Sequence, residues 1–144
     1  MRPKATALLV DLDGTLRRWD PDVIHGIESA HDLKPGSLYG AAMDWSRLMP
    51  AIIGDITHDE WADIIAADLA EQTGDPDRAR AAVKEWESYR GTVEPGLLAL
   101  IRDARAAGIK VGLATNATDL LDTDLRTLGL TDEFDAVINS SELH

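Results

Sequence analysis

Three short apolar runs, each stopping at small polar residues, constrain this chain more than any other feature. Residues 5–10 stop at Asp11-Leu12-Asp13-Gly14, residues 109–114 at Thr115-Asn116, and residues 134–138 at Asn139-Ser140-Ser141. Short, mostly apolar runs of this length are what strands buried inside a parallel sheet look like. Ligands of open α/β sheets sit beyond the carboxyl ends of the strands, where these polar residues fall. Ahead of the second run, Pro95 opens a helical stretch. Leu97, Leu98, Leu100, Ile101 and Ala104 form one stripe, and Gly108 ends it. Strand, helix, strand in that order predicts a Rossmann-like α/β fold, a parallel sheet with right-handed crossovers.

Residues 19–91, between the first run and this helix, have almost no β signal. Thr57-His58-Asp59-Glu60 reads as a capping box, followed by Trp61, Ile64, Ile65 and Leu69 at helical spacing. Asp75-Pro76 starts a second helix, with Ala79, Ala82, Val83 and Trp86 along one face. Residues 38–49 predict a third helix, stopped near Pro50, and residues 23–33 a weaker fourth. All four tryptophans and both tyrosines lie here; Phe134 is the one aromatic residue outside. The chain therefore divides into an α/β core, residues 1–18 and 92–144, and a helical insert with its own core, residues 19–91.

The insert carries 15 acidic and 6 basic residues, hence −9 of the chain's net charge of −12. Such a field opposes binding to nucleic acid or to an anionic membrane. There is no cysteine, which excludes disulfides, thiolate nucleophiles and Cys-based zinc sites. The apolar run near the N-terminus is too short for a signal peptide, and no run approaches the ~20 residues that cross a bilayer. A cytoplasmic location is the expectation.

Asp11 and Asp13 are one residue apart. In extended chain that spacing points both carboxylates one way and sends Leu12 into the core. Two carboxylates so close repel, so their partner is a cation or a shared proton, and Mg²⁺, hard and oxygen-loving, is the natural cation. Gly14 permits a turn closed to residues with a Cβ. Thr115-Asn116 offers a hydroxyl and backbone N–H groups suited to an anionic oxygen. The plainer readings are a strand-to-loop transition for the aspartates and a helix cap for Thr115-Asn116. Arg17 and Arg18 help at the entrance or are simply solvated. His25, His31 and His58 read as surface residues with no metal-binding spacing. Trp19 and Trp45 are candidates to line a pocket.

Asp11-Leu12-Asp13-Gly14-Thr15-Leu16 resembles the first motif of the haloacid dehalogenase (HAD) superfamily, and Ala114-Thr115-Asn116 resembles its second. The insert is similar to that family's α-helical cap in placement and class, and Pro95-Gly96 is also familiar from the family. The similarity runs from about residue 5 to 142. It implies that Asp11 attacks phosphorus and forms an aspartyl phosphate, and that Asp13 protonates the leaving oxygen and later activates water. It implies Mg²⁺ held by the Asp11 carboxylate and the Asp13 main-chain carbonyl. Thr115, with Gly14 and Asn116 in support, would bind phosphoryl oxygen. The second aspartate favours phosphate chemistry over carbon–halogen cleavage, whose leaving group needs no acid.

The family pattern also implies a lysine and then an acidic pair downstream of the third strand. None of Lys4, Lys34, Lys84 and Lys110 sits suitably. The chain is therefore expected to be an incomplete form with little turnover, its C-terminal strands missing and its first strand left with an open edge. That edge predicts a homo-oligomer or a complementing chain. Two alternatives stand beside the phosphatase. One is a non-catalytic fragment or binding module completed by a partner. The other is a phosphoacceptor receiver domain, which has no place for residues 19–91. The substrate, a small phosphorylated metabolite, stays open among sugar phosphates, nucleotides, phosphoglycolate and mutase chemistry.

Overall fold

The computed structural model describes residues 4–143. Its sheet has three parallel strands, β1 (Ala7–Val10), β4 (Lys110–Thr115) and β5 (Ala136–Asn139), in the order β1-β4-β5. Ala7 pairs with Lys110 and Val10 with Leu113, while Gly112 pairs with Ala136 and Thr115 with Asn139. A second, two-stranded antiparallel ribbon joins β2 (Arg17–Arg18) to β3 (Thr92–Val93). Short-range pattern gave no hint of this ribbon.

Both crossover helices, α6 (Pro95–Ala106) and α7 (Leu121–Thr127), lie on one face of the sheet. Their Ile101, Leu121 and Leu125 form a buried cluster with Val10, Val111 and Leu113. Crossovers of one hand that step the same way along a sheet must share a face. Cα partners share a face too, so Leu9, Gly112, Ala114 and Ile138 make up the other face. That face has no helix over it among the described residues. Leu9 is 66% exposed and Ile138 45%. The chain's accessible surface is 8620 Å², against roughly 7,200 Å² for a compact protein of this mass.

Five helices lie between β2 and β3: α1 (Pro21–Ala30), α2 (Ser37–Met43), α3 (Trp45–Ile52), α4 (His58–Thr73) and α5 (Pro76–Ser88). The Asp20, Asp44 and Asp75 side chains cap α1, α3 and α5, and Thr57 with Glu60 closes a capping box on α4. The helix expected over residues 38–49 is in fact two. Asp44 breaks it by capping Ser46, and Pro50 lies inside α3 rather than ending it. A proline there forfeits one bond in a helix already close to its last turn. Leu38, Ile65, Leu69 and Ala82 centre a second buried cluster, separate from that of the sheet. No helix among the described residues is long and apolar enough to cross a membrane.

Candidate active site

The loop after β1 is built around one carbonyl. The Leu12 oxygen accepts from the amides of Thr15, Leu16 and Arg17 at 3.2, 2.9 and 2.8 Å. Gly14 turns at φ 77°, a left-handed value that favours glycine. Its amide donates to the Arg17 carbonyl at 2.9 Å. Leu12 is fully buried, so the aspartates flank a side chain anchored in the core, as the spacing predicts. Asp11 is exposed at the strand end. Its Oδ1 accepts from the Leu12 amide at 2.8 Å, and Oδ2 has no partner among the described residues.

Asp13 is engaged much more heavily. Its Oδ1 accepts from Arg17 Nε at 2.7 Å and from Trp19 Nε1 at 2.6 Å, and its Oδ2 from Arg17 Nη2 at 2.9 Å. Arg17 is only 4% exposed, so the solvated reading of this residue is corrected. Its Nη1 reaches Asp124 Oδ2 on α7 at 2.6 Å. Arg90 donates to the same carboxylate through Nε at 2.8 Å and Nη2 at 2.7 Å. The Arg17 guanidinium also lies 4.6 Å from the centre of the Trp19 ring. Burial would lower the Arg17 pKa, but its bonds and charge pairing with Asp13 and Asp124 raise it. Burial likewise pushes Asp124 up, and Arg90 and Arg17 together hold it below the usual carboxylate value. Arg18, by contrast, is exposed and pairs with Glu94 at 2.5 Å.

Thr115 ends β4 beside this loop. It is buried, and its Oγ1 has no hydrogen-bond partner. A buried hydroxyl without a partner costs free energy unless something else satisfies it. The loop after β4 is held from β5. Asn139 Nδ2 donates to the Thr118 carbonyl at 3.0 Å, and Ser140 Oγ accepts from the Ala117 amide at 3.2 Å. These two holding residues were visible in the sequence only as the polar end of the third run.

The insert docks on that same loop through His58. The His58 amide donates to Asp119 Oδ1 at 2.8 Å, and its Nδ1 lies 3.2 Å from Thr118 Oγ1. The ring is buried edge-on against Trp61, so the surface reading of His58 is corrected. Nε2 lies 3.2 Å from Glu87 Oε1 but lacks hydrogen-bond geometry. Burial, with Arg90 nearby, holds the ring pKa below its ordinary value, so the contact is one of a neutral ring. Burial pushes Glu87 up.

Between insert and sheet lies a cavity of about 830 Å³. Asp13, Gly14 and Asn116 line its core end, with Arg17, Asp124 and Arg90. Trp19 and Trp45 line it as well. Asp11 and Thr115 sit at the adjoining strand ends and are not part of its wall. No cluster of three or more His, Cys, Asp or Glu side chains able to hold a metal occurs among the described residues.

A sequence model of one hydrolase family, the haloacid dehalogenase-like hydrolases, matches residues 5–144. The chain belongs to that family. No curated protein matches it significantly. Solved HAD structures share its fold. An L-2-haloacid dehalogenase from Xanthobacter autotrophicus, with chloropropionic acid covalently bound, has a TM-score of 0.56 at 21% identity, over 94% of this chain and 57% of that one. The L-2-haloacid dehalogenase RSc1362 has a TM-score of 0.65 at 17% identity, over 98% and 66%. A HAD family enzyme from Bacteroides thetaiotaomicron, in complex with magnesium and inorganic phosphate, has 0.65 at 21%, over 97% and 71%. The chain thus spans less than two thirds of the first two HAD structures. At these identities the likeness is one of fold.

Proposed function

We propose that this HAD-type hydrolase is a Mg²⁺-dependent phosphatase acting through an aspartyl phosphate on Asp11. The observation that carries the reading is the pairing, at neighbouring strand ends, of a water-facing carboxylate with a buried hydroxyl that has no partner. Asp11 Oδ2 and the buried Thr115 Oγ1 both lack partners among the described residues. A phosphoryl group needs a nucleophile on one side and a donor to its oxygens on the other, and these residues are of the right types. The Asp11 carboxylate and the Asp13 carbonyl are hard oxygen donors and fit Mg²⁺, which binds few protein ligands and keeps several waters. When bound, the ion would offset negative charge between Asp11 and phosphate.

Asp11 Oδ attacks phosphorus and the phosphorus–oxygen ester bond breaks. The departing oxygen takes its proton from Asp13, leaving the alcohol product and an acyl phosphate on Asp11. Water then attacks that phosphorus, Asp13 takes back a proton, and inorganic phosphate leaves with Asp11 restored. The hydrogen bonds to Asp13 come from three N–H donors. To hold a proton for the leaving group it must loosen its grip on Arg17, which has Asp124 as a second anchor. Gly14 and Asn116, on the loops after β1 and β4, complete the phosphate-facing surface, and Arg17 is a positioning residue for Asp13.

The test is a p-nitrophenyl phosphate assay of the protein in its full natural length. Turnover is expected with Mg²⁺, lost on chelation, and reduced at least about a thousandfold by Asp11→Asn. Undiminished turnover in Asp11→Asn overturns the assignment of the nucleophile.

The second reading, a binding module completed by a partner chain, is favoured by the edge of β1 that pairs with no strand among the described residues and by exposed Leu9. It predicts self-association in sedimentation experiments, and strict monomer behaviour together with phosphatase turnover would sink it.

A further inference from the structure

The cavity between insert and sheet has two unlike ends. Resting on the phosphatase reading, we infer that the substrate's organic part is apolar, at least of naphthyl size, and carries no second anionic group. The insert end of the wall is made by Tyr39, Met43, Trp45, Leu48 and Ile52 from α2 and α3. Of these, Tyr39, Met43 and Trp45 are exposed, Trp45 at 62%. Large apolar side chains gathered around one concavity, rather than scattered singly over a surface, mark a binding site. The cavity's 830 Å³ lies in the upper part of the range of roughly 300–1,000 Å³ that takes drug-sized ligands. A two-carbon phosphate would leave most of it as water against apolar wall.

Charge excludes a second anion. Among the described residues, the arginines lining the cavity are Arg17 and Arg90, and no lysine joins them. Arg17 is bound to Asp13 and Asp124, and Arg90 to Asp124. Recruiting Arg90 would leave the buried Asp124 with Arg17 alone, and recruiting Arg17 would leave Asp124 with Arg90 alone and Asp13 with only the Trp19 indole, each at a cost. The histidines on the wall are His25 and His58, and burial disfavours a charge on His58. Bisphosphates, phosphorylated carboxylic acids and nucleotides therefore find no free arginine or lysine on the wall among the described residues. A polyhydroxylated sugar finds few partners on an apolar wall, and its hydroxyls would be desolvated without return.

Titration of the chain's tryptophan fluorescence with naphthyl phosphate, naphthol, glucose phosphate and phosphoglycolate tests the inference. Naphthyl phosphate and naphthol should bind at least about tenfold more tightly than the two polar phosphates. Met43→Asp should remove at least about that factor for both naphthyl ligands, and Met43→Leu should retain their affinity. Polar phosphates that bind as well as naphthyl phosphate overturn the inference, as does unchanged naphthol binding in a folded Met43→Asp. Naphthol binding without hydrolysis of any ester by the full-length protein upholds the apolar site while the phosphatase reading fails. Hydrolysis of glucose phosphate in preference to naphthyl phosphate upholds the phosphatase and overturns the apolar site.

Discussion

In the helical insert, Leu38, Ile65 and Leu69 have no exposed surface, enclosed by helices that come from one stretch of chain. In the sheet, Val111 and Leu113 are just as buried on one face, while Leu9 and Ile138 on the other face water. Both regions began as apolar sequence, and the difference lies in geometry. Amphipathic helices need one another, and residues 19–91 supply five within a short span. A parallel strand with apolar residues on both faces needs a layer above and a layer below. Here α6 and α7 supply one layer. Burial therefore follows the number of covering layers more closely than it follows hydrophobicity.

The seam between the two regions should show the largest response. Arg17→Met leaves Asp124 and Asp13 short of a partner, and a cost of about 3–5 kcal/mol in denaturant unfolding is expected. A cost under about 1 kcal/mol would mean that Arg90 alone holds Asp124. Next come matched truncations in the two regions. Ile65→Ala should cost about 3 kcal/mol because its cavity is enclosed on every side. Leu9→Ala should stay within about 0.5 kcal/mol. Equal costs would break the contrast, since they would require a covered Leu9.

The pH response is smaller. His58 has a folded pKa below its unfolded value, so its contribution is present above about pH 6.5 and is lost as pH falls. Glu87 runs the other way: with a raised folded pKa, its contribution is present below its ordinary value and lost as pH rises. Between pH 7 and 5 the wild-type denaturation midpoint should fall more steeply than that of His58→Phe, which keeps Glu87. Parallel slopes would place the His58 ring in water. Asp124, held below its ordinary value, enters only at more acid pH, where its contribution is lost as the carboxylate takes a proton.

Much of the fold could be read from the chain alone. The ends of the three strands, the helix after Pro95 and four helical stretches of the insert all follow from local period and capping residues. The aspartate loop, Gly14 and Thr115-Asn116 were readable because a strand end and a tight turn leave short-range marks. The Arg17–Asp124–Arg90 network was not. Arg17 and Asp124 lie 107 positions apart, and an ion pair formed by folding leaves no periodic trace. His58 misled for a related reason. Within its own helix it occupies an N-terminal position open to water, and only the core loop of Thr118 and Asp119 covers it. The split at Asp44 hinged on a single side-chain cap that competes closely with helix continuation.

The ribbon of β2 and β3 carries a consequence for how such a protein can change. Arg18 and Thr92, at the two ends of residues 19–91, are Cα partners, about 5 Å apart by ladder geometry. A Cβ on Gly91 would come within 2.7 Å of the Arg18 carbonyl, so the exit strand passes tightly against the entry strand. The chain thus leaves and re-enters the core through a socket two residues wide. Anything with neighbouring ends fits that socket, from a two-residue hairpin turn to a whole helical bundle, provided it replaces what Trp19 gives Asp13 and Arg90 gives Asp124. An exchanged insert is therefore constrained at two side chains as well as at its two ends.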